Sequence, residues 1–157
     1  MKNIIMVAGA RPNFMKVAPI FHRLKNNTSI NLILVHSGQH YDQKMSDVFF
    51  KDLNIPKPNY NLDVRSGSHA EQTAKIMISF EEVRLKEKPD LVIVVGDINS
   101  TLACAITAKK IHIKVAHIES GLRSNDRLMP EEINRLVTDS ISDYFFVTED
   151  SGEKNLL

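Results

Sequence analysis

Five short apolar runs set the terms on which this chain can fold: Ile4 to Ala8, Leu32 to Val35, Leu91 to Val95, Val115 to Ile118 and Tyr144 to Val147. None alternates apolar with polar residues, as a strand with one wet face would. Near-continuous apolar strands are buried on both faces, which is the pattern of a parallel sheet. The stretches between them have helical spacing, as in Ala18, Phe21 and Leu24, or Met45, Phe49 and Leu53. Strands alternating with helices make the class α/β, a parallel sheet covered by helices on both faces.

Local signals sharpen the helices. The spacing predicts helices over Met15–Asn26, Met45–Leu53, Ser68 to about Lys86, Ser100–Ile111 and Glu131–Ser142. Ser68 and Glu71 form an S-x-x-E capping box, which satisfies free N–H groups at a helix start. Ser100 is the expected cap of the next helix, and Pro130 falls at or just before the first turn of the one after. "NIPKPNYNLD", broken by Pro56 and Pro58, reads as loop. The closing "TEDSGEKNLL" reads as the first turns of a further helix, with Asp150 and Glu153 placed as a second capping box. The chain stops about seven helical residues later, marginal for an isolated helix, so it is expected to be cut from a larger protein.

Composition removes several function classes. The 157 residues suffice for one domain with a sizeable core. Twenty Lys and Arg against 19 Asp and Glu leave a formal net charge of +1, which does not point to nucleic acid or an anionic membrane surface. No apolar run reaches the ~20 residues that span a bilayer. The N-terminal "MKNIIMVAGA" is too short and too soon followed by Arg11 and Lys16 for a signal peptide. A single cysteine, Cys104, inside an apolar run, is expected to be buried and fits a reducing compartment. The expected location is the cytoplasm.

Ligands of open parallel sheets bind outside the carboxyl ends of the strands. Here four of the five strands run into loops rich in Gly, charge and amide groups: "GARPNFMK", "HSGQHYD", "GDINS" and "ESGLRS". Each alone could be turn chemistry; together they predict a ligand-binding edge. "GARPN" is neither a G-x-G-x-x-G dinucleotide fingerprint nor a P-loop. Gly9 still permits a tight turn, the helix from about Pro12 offers N–H groups to an anion, and the Arg11 guanidinium matches phosphate. A surface salt bridge is the alternative for Arg11, and a solvated charge for Lys16.

Three acids stand at this edge: Asp97, Glu119 and Glu131. Asp97 could be a turn former, and Glu131 and Glu132 could simply suit a positive helix N-terminus, worth ~0.3–1 kcal/mol. Glu119, directly after "VAHI", is expected to be partly buried. Carboxylates held close together separate their pKa values, so that an acid and a base coexist near neutral pH. The histidines are scattered without metal-ligand spacing, and His117 fits a core histidine or loop organiser as well as a ligand. No metal site and no covalent-catalysis motif is expected.

"GARPNFMKVAP", "SGQHYD", "VVGDINSTLACA", "AHIESGLRS" and "PEEINRLVTD", in that order and spacing, resemble the N-terminal half of the non-hydrolysing UDP-N-acetylglucosamine 2-epimerases, over the whole chain. The resemblance implies one Rossmann-like domain over 1–157, half of a glycosyltransferase-B-like two-domain fold, with the C-terminal nucleotide-binding domain absent from this chain. It implies interconversion of UDP-GlcNAc and UDP-ManNAc by elimination and re-addition of UDP, with no cofactor and with a homodimer. Its catalytic acids fall on Asp97, Glu119 and Glu131. Its first-loop substrate contacts fall on Arg11 and Lys16, with Arg123 and Arg135 as further contact candidates. Some bacterial members bind UDP-GlcNAc at a neighbouring allosteric site through a Gln-His pair, here Gln39 and His40, although "QHYD" departs from their amide-rich continuation. The first loop also departs from the frequent G-T-R-P-E form, with Ala10 and Asn13 in place of Thr and Glu.

Two other readings compete. The chain could be a non-catalytic remnant that serves as a binding or dimerisation module. It could also be a hydrolysing relative that releases ManNAc and UDP, since similar acids serve both reactions.

Overall fold

In the computed structural model, residues 1–9, 11–38 and 51–157 are described, Arg11 and Pro12 by backbone alone. Among them the order is β1 (Lys2–Ala8), α1 (Arg11–Leu24), β2 (Ile30–His36), β3 (Tyr60–Asn61), α2 (His69–Glu87), β4 (Leu91–Val95), α3 (Asn99–Lys109), β5 (Lys114–Ile118), α4 (Pro130–Ile141), β6 (Tyr144–Phe146) and α5 (Asp150–Leu156). The sheet runs β3-β2-β1-β4-β5-β6, and each recorded strand pair is parallel. This is the doubly wound order of Rossmann folds. Its strand order reverses between β1 and β4, which opens a crevice at their carboxyl ends.

Successive strand residues point to opposite faces, and both faces are covered. Ile5, Val7, Val92, Val94 and Val115 face Ile76, Phe80 and Val83 of α2 and Ala103, Ala105 and Ala108 of α3. Ile4, Met6, Ile93, Val95 and Ala116 face Phe14, Val17, Ala18 and Phe21 of α1. That two-sided burial is why β1, β2, β4 and β5 carry no polar alternation; β6, expected to be buried like them, is the edge strand of the sheet and its Tyr144, Phe145 and Phe146 are exposed. Each fully buried side chain the size of Ile5 or Phe80 contributes roughly 1.5–3 kcal/mol.

The capping box of α2 is present: Ser68 Oγ accepts the Glu71 N–H at 3.2 Å, and Glu71 Oε2 accepts the Ser68 N–H at 2.9 Å. Pro130 stands in the first turn of α4. Cys104 is fully buried, which pushes its thiol pKa up.

Several expectations are corrected. The Pro-broken segment read as loop contains β3, whose pairing with Val35 and His36 is too short to leave an apolar run. Asn59 sets its register, donating its N–H to Leu34 O and accepting the Leu34 N–H through Oδ1, each at 2.8 Å. Helix α1 begins before Met15, at Arg11, and ends at Leu24. Helix α3 starts at Asn99, so Ser100 lies inside its first turn and Ile98, which has no polar side chain, takes the cap position. Glu149 rather than Asp150 precedes α5, and no side chain caps it. Most of the helix expected over Met45–Leu53 lies outside the described residues, as do Gln39 and His40.

Candidate functional site

The polar strand ends meet at the crevice between β1 and β4. Asn13, in the first turn of α1, is 4 % exposed and donates Nδ2 to Val95 O at 2.8 Å, which ties α1 to the end of β4. Gly96 follows at φ +71°, a conformation that L side chains rarely adopt. A Cβ there would lie 3.5 Å from Glu119 Oε2 and 3.7 Å from Asn13 Oδ1, so the ends of α1, β4 and β5 converge on this glycine.

Glu119 is held by Lys16. The Lys16 ammonium donates to Glu119 Oε2 across the crevice, with the carboxylate side chain about one-fifth exposed, as expected for an acid directly after β5. Glu119 also has φ +68°, in the left-handed region. For a non-glycine residue that costs about 1–2 kcal/mol, and such strain is concentrated at functional sites. The next turn depends on Gly121, φ +79°, whose Cβ position would meet Gly152 O of α5 at 2.2 Å.

Asp97 is gripped from α4. Arg135 Nη2 donates to Asp97 Oδ2, and Asn134 Nδ2 donates to Asp97 O at 2.8 Å. Arg135 Nη1 also donates to Glu132 Oε2 at 3.2 Å. Glu131 precedes Asn134 and Arg135 by three and four residues and so shares their face of α4. It is half-buried and makes no hydrogen bond or ion pair with the described residues. The helix sets Glu131 one turn before Arg135, the partner of Asp97.

Other expected residues sit differently. Arg123 is turned away into a buried cluster: its Nη1 donates to Asp139 Oδ2 at 2.6 Å and to Leu122 O at 2.7 Å. The side chain of Arg11 is not described; its backbone opens α1 beside Asn13.

Sequence reasoning missed four groups. In sequence Asn13 is only a departure from a motif, whereas in the fold it ties α1 to the end of β4. Glu132 was read as a helix-end charge, but it is 2 % exposed and accepts Ser124 N–H at 2.9 Å and Ser124 Oγ–H at 3.1 Å. Burial raises its carboxyl pKa, but the hydrogen bonds from Ser124 and Arg135 outweigh that and hold it below the usual range. Asp139 was not singled out. It accepts from Arg123, from Gly121 N–H at 3.1 Å, and faces His117 Nδ1 at 2.7 Å. Burial again raises its pKa, and hydrogen bonds from His117, Arg123 and Gly121 N–H hold it below the usual range. Finally, Asn99 joins α3 to α2, donating Nδ2 to Gln72 Oε1 at 2.9 Å. No local pattern marks Asp139, because the buried residues of α4 are polar, Glu132, Asn134, Thr138 and Asp139, while Ile133 is exposed.

Among the described residues no group of three His, Cys, Asp or Glu could hold a metal ion, and no helix is long and apolar enough to cross a membrane. The arrangement presents three carboxylates, two of them paired with cations, at the switch point of a parallel sheet. Such a constellation can move protons to and from a bound ligand and can stabilise an anion.

The family model for UDP-N-acetylglucosamine 2-epimerase matches residues 22–157. The chain is 50% identical over 152 residues to the UDP-N-acetylglucosamine 2-epimerase of Methanocaldococcus jannaschii, covering 97% of this chain and 41% of that protein. It is 48% identical over 143 residues to the UDP-2,3-diacetamido-2,3-dideoxy-D-glucuronate 2-epimerase of Pseudomonas aeruginosa, covering 91% of this chain and 40% of that one. The crystal structure of the M. jannaschii enzyme in complex with UDP-GlcNAc and UDP superposes with a TM-score of 0.94 at 49% identity, covering 99% of this chain and 42% of that chain. The chain thus spans about two-fifths of the length of the relatives it matches and aligns with one half of a glycosyltransferase-B-like architecture. Fold, strand-end geometry and similarity together make this chain a member of the UDP-N-acetylglucosamine 2-epimerase family.

Proposed function

We propose that this chain is the N-terminal, acid-bearing half of a non-hydrolysing UDP-GlcNAc 2-epimerase, with a second domain supplying the rest of the nucleotide site. The observation that supports the reading is the two ion pairs Arg135–Asp97 and Lys16–Glu119 at the ends of the neighbouring strands β4 and β5. In the proposed reaction one carboxylate takes the C2 proton. The C2–H electron pair forms the C1=C2 double bond of a 2-acetamidoglucal, and the C1–O bond breaks, releasing UDP with its pair. UDP oxygen then re-adds to C1 while another carboxylic acid protonates C2 from the opposite face, giving UDP-ManNAc. The catalytic roles fall to Asp97, Glu119 and Glu131. Arg11, Lys16 and Arg135 contact the substrate, the latter two supplying positive charge as UDP departs. The step needs no redox cofactor.

The substrate class is supported by the relatives whose names and complexes carry UDP-GlcNAc. A second substrate, UDP-2,3-diacetamido-2,3-dideoxy-D-glucuronate, is favoured by the 48% identity to the P. aeruginosa enzyme. The test incubates the chain with each nucleotide sugar, alone and fused to the remaining portion of the M. jannaschii relative. The fusion is expected to give UDP-ManNAc from UDP-GlcNAc, and the chain alone no turnover. Release of free ManNAc and UDP would move the protein to the hydrolysing reaction, and inactivity of a folded fusion on both sugars would support a binding module instead. A homodimer and a cytoplasmic location belong to the same reading, and sedimentation of the chain tests the first.

A further inference from the structure

We propose that His117 and Asp139 form a buried relay that fixes the two acid-bearing loops relative to each other, making both of them positioning residues. The kinetic consequence rests on the functional reading above; the relay itself rests on geometry.

His117 is fully buried at the penultimate position of β5. Its Nε2 lies 2.8 Å from Gly96 O, and its Nδ1 2.7 Å from Asp139 Oδ1. A carbonyl oxygen only accepts, so Nε2 carries a hydrogen. The other oxygen of Asp139 is held by Arg123 Nη1 at 2.6 Å and by Gly121 N–H at 3.1 Å. A carboxylate gripped by a guanidinium and a backbone N–H is ionised and only accepts, so Nδ1 carries a hydrogen too. The ring donates at both ends.

The two ends lead to the two loops. Gly96 O belongs to the peptide unit that delivers Asp97. Gly121 N–H lies two residues beyond Glu119. Backbone pairing between the loops stops at Gly96 N–H to Ile118 O, 3.0 Å, and the relay carries the connection past that point. Arg123 is thereby reassigned from substrate contact to relay member, its side chain only 12 % exposed. A histidine that merely filled the core would not join two turns at positive φ, Gly96 and Gly121, to one helix side chain.

Glutamine at 117 places its amide nitrogen near Nε2 and keeps the Gly96 bond; asparagine places it near Nδ1 and keeps the Asp139 bond. H117Q, H117N and D139N are made in the fusion, and kcat and KM are measured at a temperature where each is folded. Every variant is expected to lose kcat by about tenfold or more, because small misplacements of reacting groups have effects of that size. KM is expected to stay within about threefold, since the relay touches no substrate. Folded variants with kcat within about threefold of the parent would overturn the positioning role. Independently of activity, 15N spectra of the histidine ring in the parent 157-residue chain are expected to show a hydrogen on both His117 nitrogens, as the two contacts require. One unprotonated ring nitrogen would overturn the relay. An inactive parent fusion with both nitrogens protonated would refute the functional reading and leave the relay standing.

Discussion

Gly121→Ala is the perturbation whose size follows most directly from the packing of the β5 loop on α5. Gly121 has φ +79°, and a Cβ added there would sit 2.2 Å from Gly152 O, a backbone atom that cannot swing aside as a side-chain tip would. Alanine in that conformation costs about 1–2 kcal/mol. Relieving the contact requires the loop after β5 and the start of α5 to move apart by about 1 Å, and overpacking of that kind costs roughly 1–3 kcal/mol. The expected loss is therefore about 2–5 kcal/mol, a large share of the ~5–15 kcal/mol typical of a folded domain. Gly96→Ala is the control. Its φ is +71°, but the nearest atom to its Cβ position is Glu119 Oε2 at 3.5 Å, so only the conformational cost of about 1–2 kcal/mol applies. Urea unfolding followed by far-UV circular dichroism measures both. The midpoint of G121A should fall well below that of G96A at similar slope. Equal midpoints would refute the close packing of the β5 loop on α5.

Ser68→Ala removes the hydroxyl that accepts the Glu71 N–H and should cost about 0.5–2 kcal/mol by the same assay, with Ser68→Asp restoring most of it. Asp139→Asn should destabilise the fold at neutral pH and flatten its acid limb. The Asp139 carboxyl is held below its ordinary pKa, so its contribution is fully present above the unfolded value of about 3.9 and lost as pH falls through the lower folded value. Urea titrations between neutral pH and pH 2 should therefore show a weaker acid dependence in the variant, and an unchanged slope would contradict the ionised pairing. Cys104, buried with its thiol pKa pushed up, should resist alkylation in the native chain and react at full rate in urea; rapid native labelling would contradict the packed face of α3.

Much of this fold was legible because its strongest signals are local. "LVIVV" and "VAHI" read as buried strands and fold as such, and the Ser68–Glu71 box is a four-residue pattern that forms as read. Glu119 was legible for the same reason: a carboxylate one residue beyond a buried strand has little solvent to reach. What escaped was set by distance along the chain. Asp139 meets His117 and Gly121 across 22 and 18 residues, and in sequence it is one acid among several on α4. Glu132 looks like its neighbour Glu131, yet Ser124 turns it into a buried acceptor while Glu131 has no such partner among the described residues. Ser100 lost the cap position because the turn at Gly96 starts α3 one residue earlier, at Asn99, whose side chain is committed to Gln72. β3 escaped because two residues of pairing leave no periodicity.

The proposed transfer of the C2 proton by Asp97, Glu119 and Glu131 is read out by reaction of the fusion with UDP-GlcNAc in D2O. The account predicts UDP-ManNAc with one deuterium at C2, and loss of both product and exchange by about 10²–10⁴-fold in D97N, E119Q and E131Q, the range for removing a general acid or base. Product formed without deuterium, or the three variants turning over at the parent rate, would contradict it.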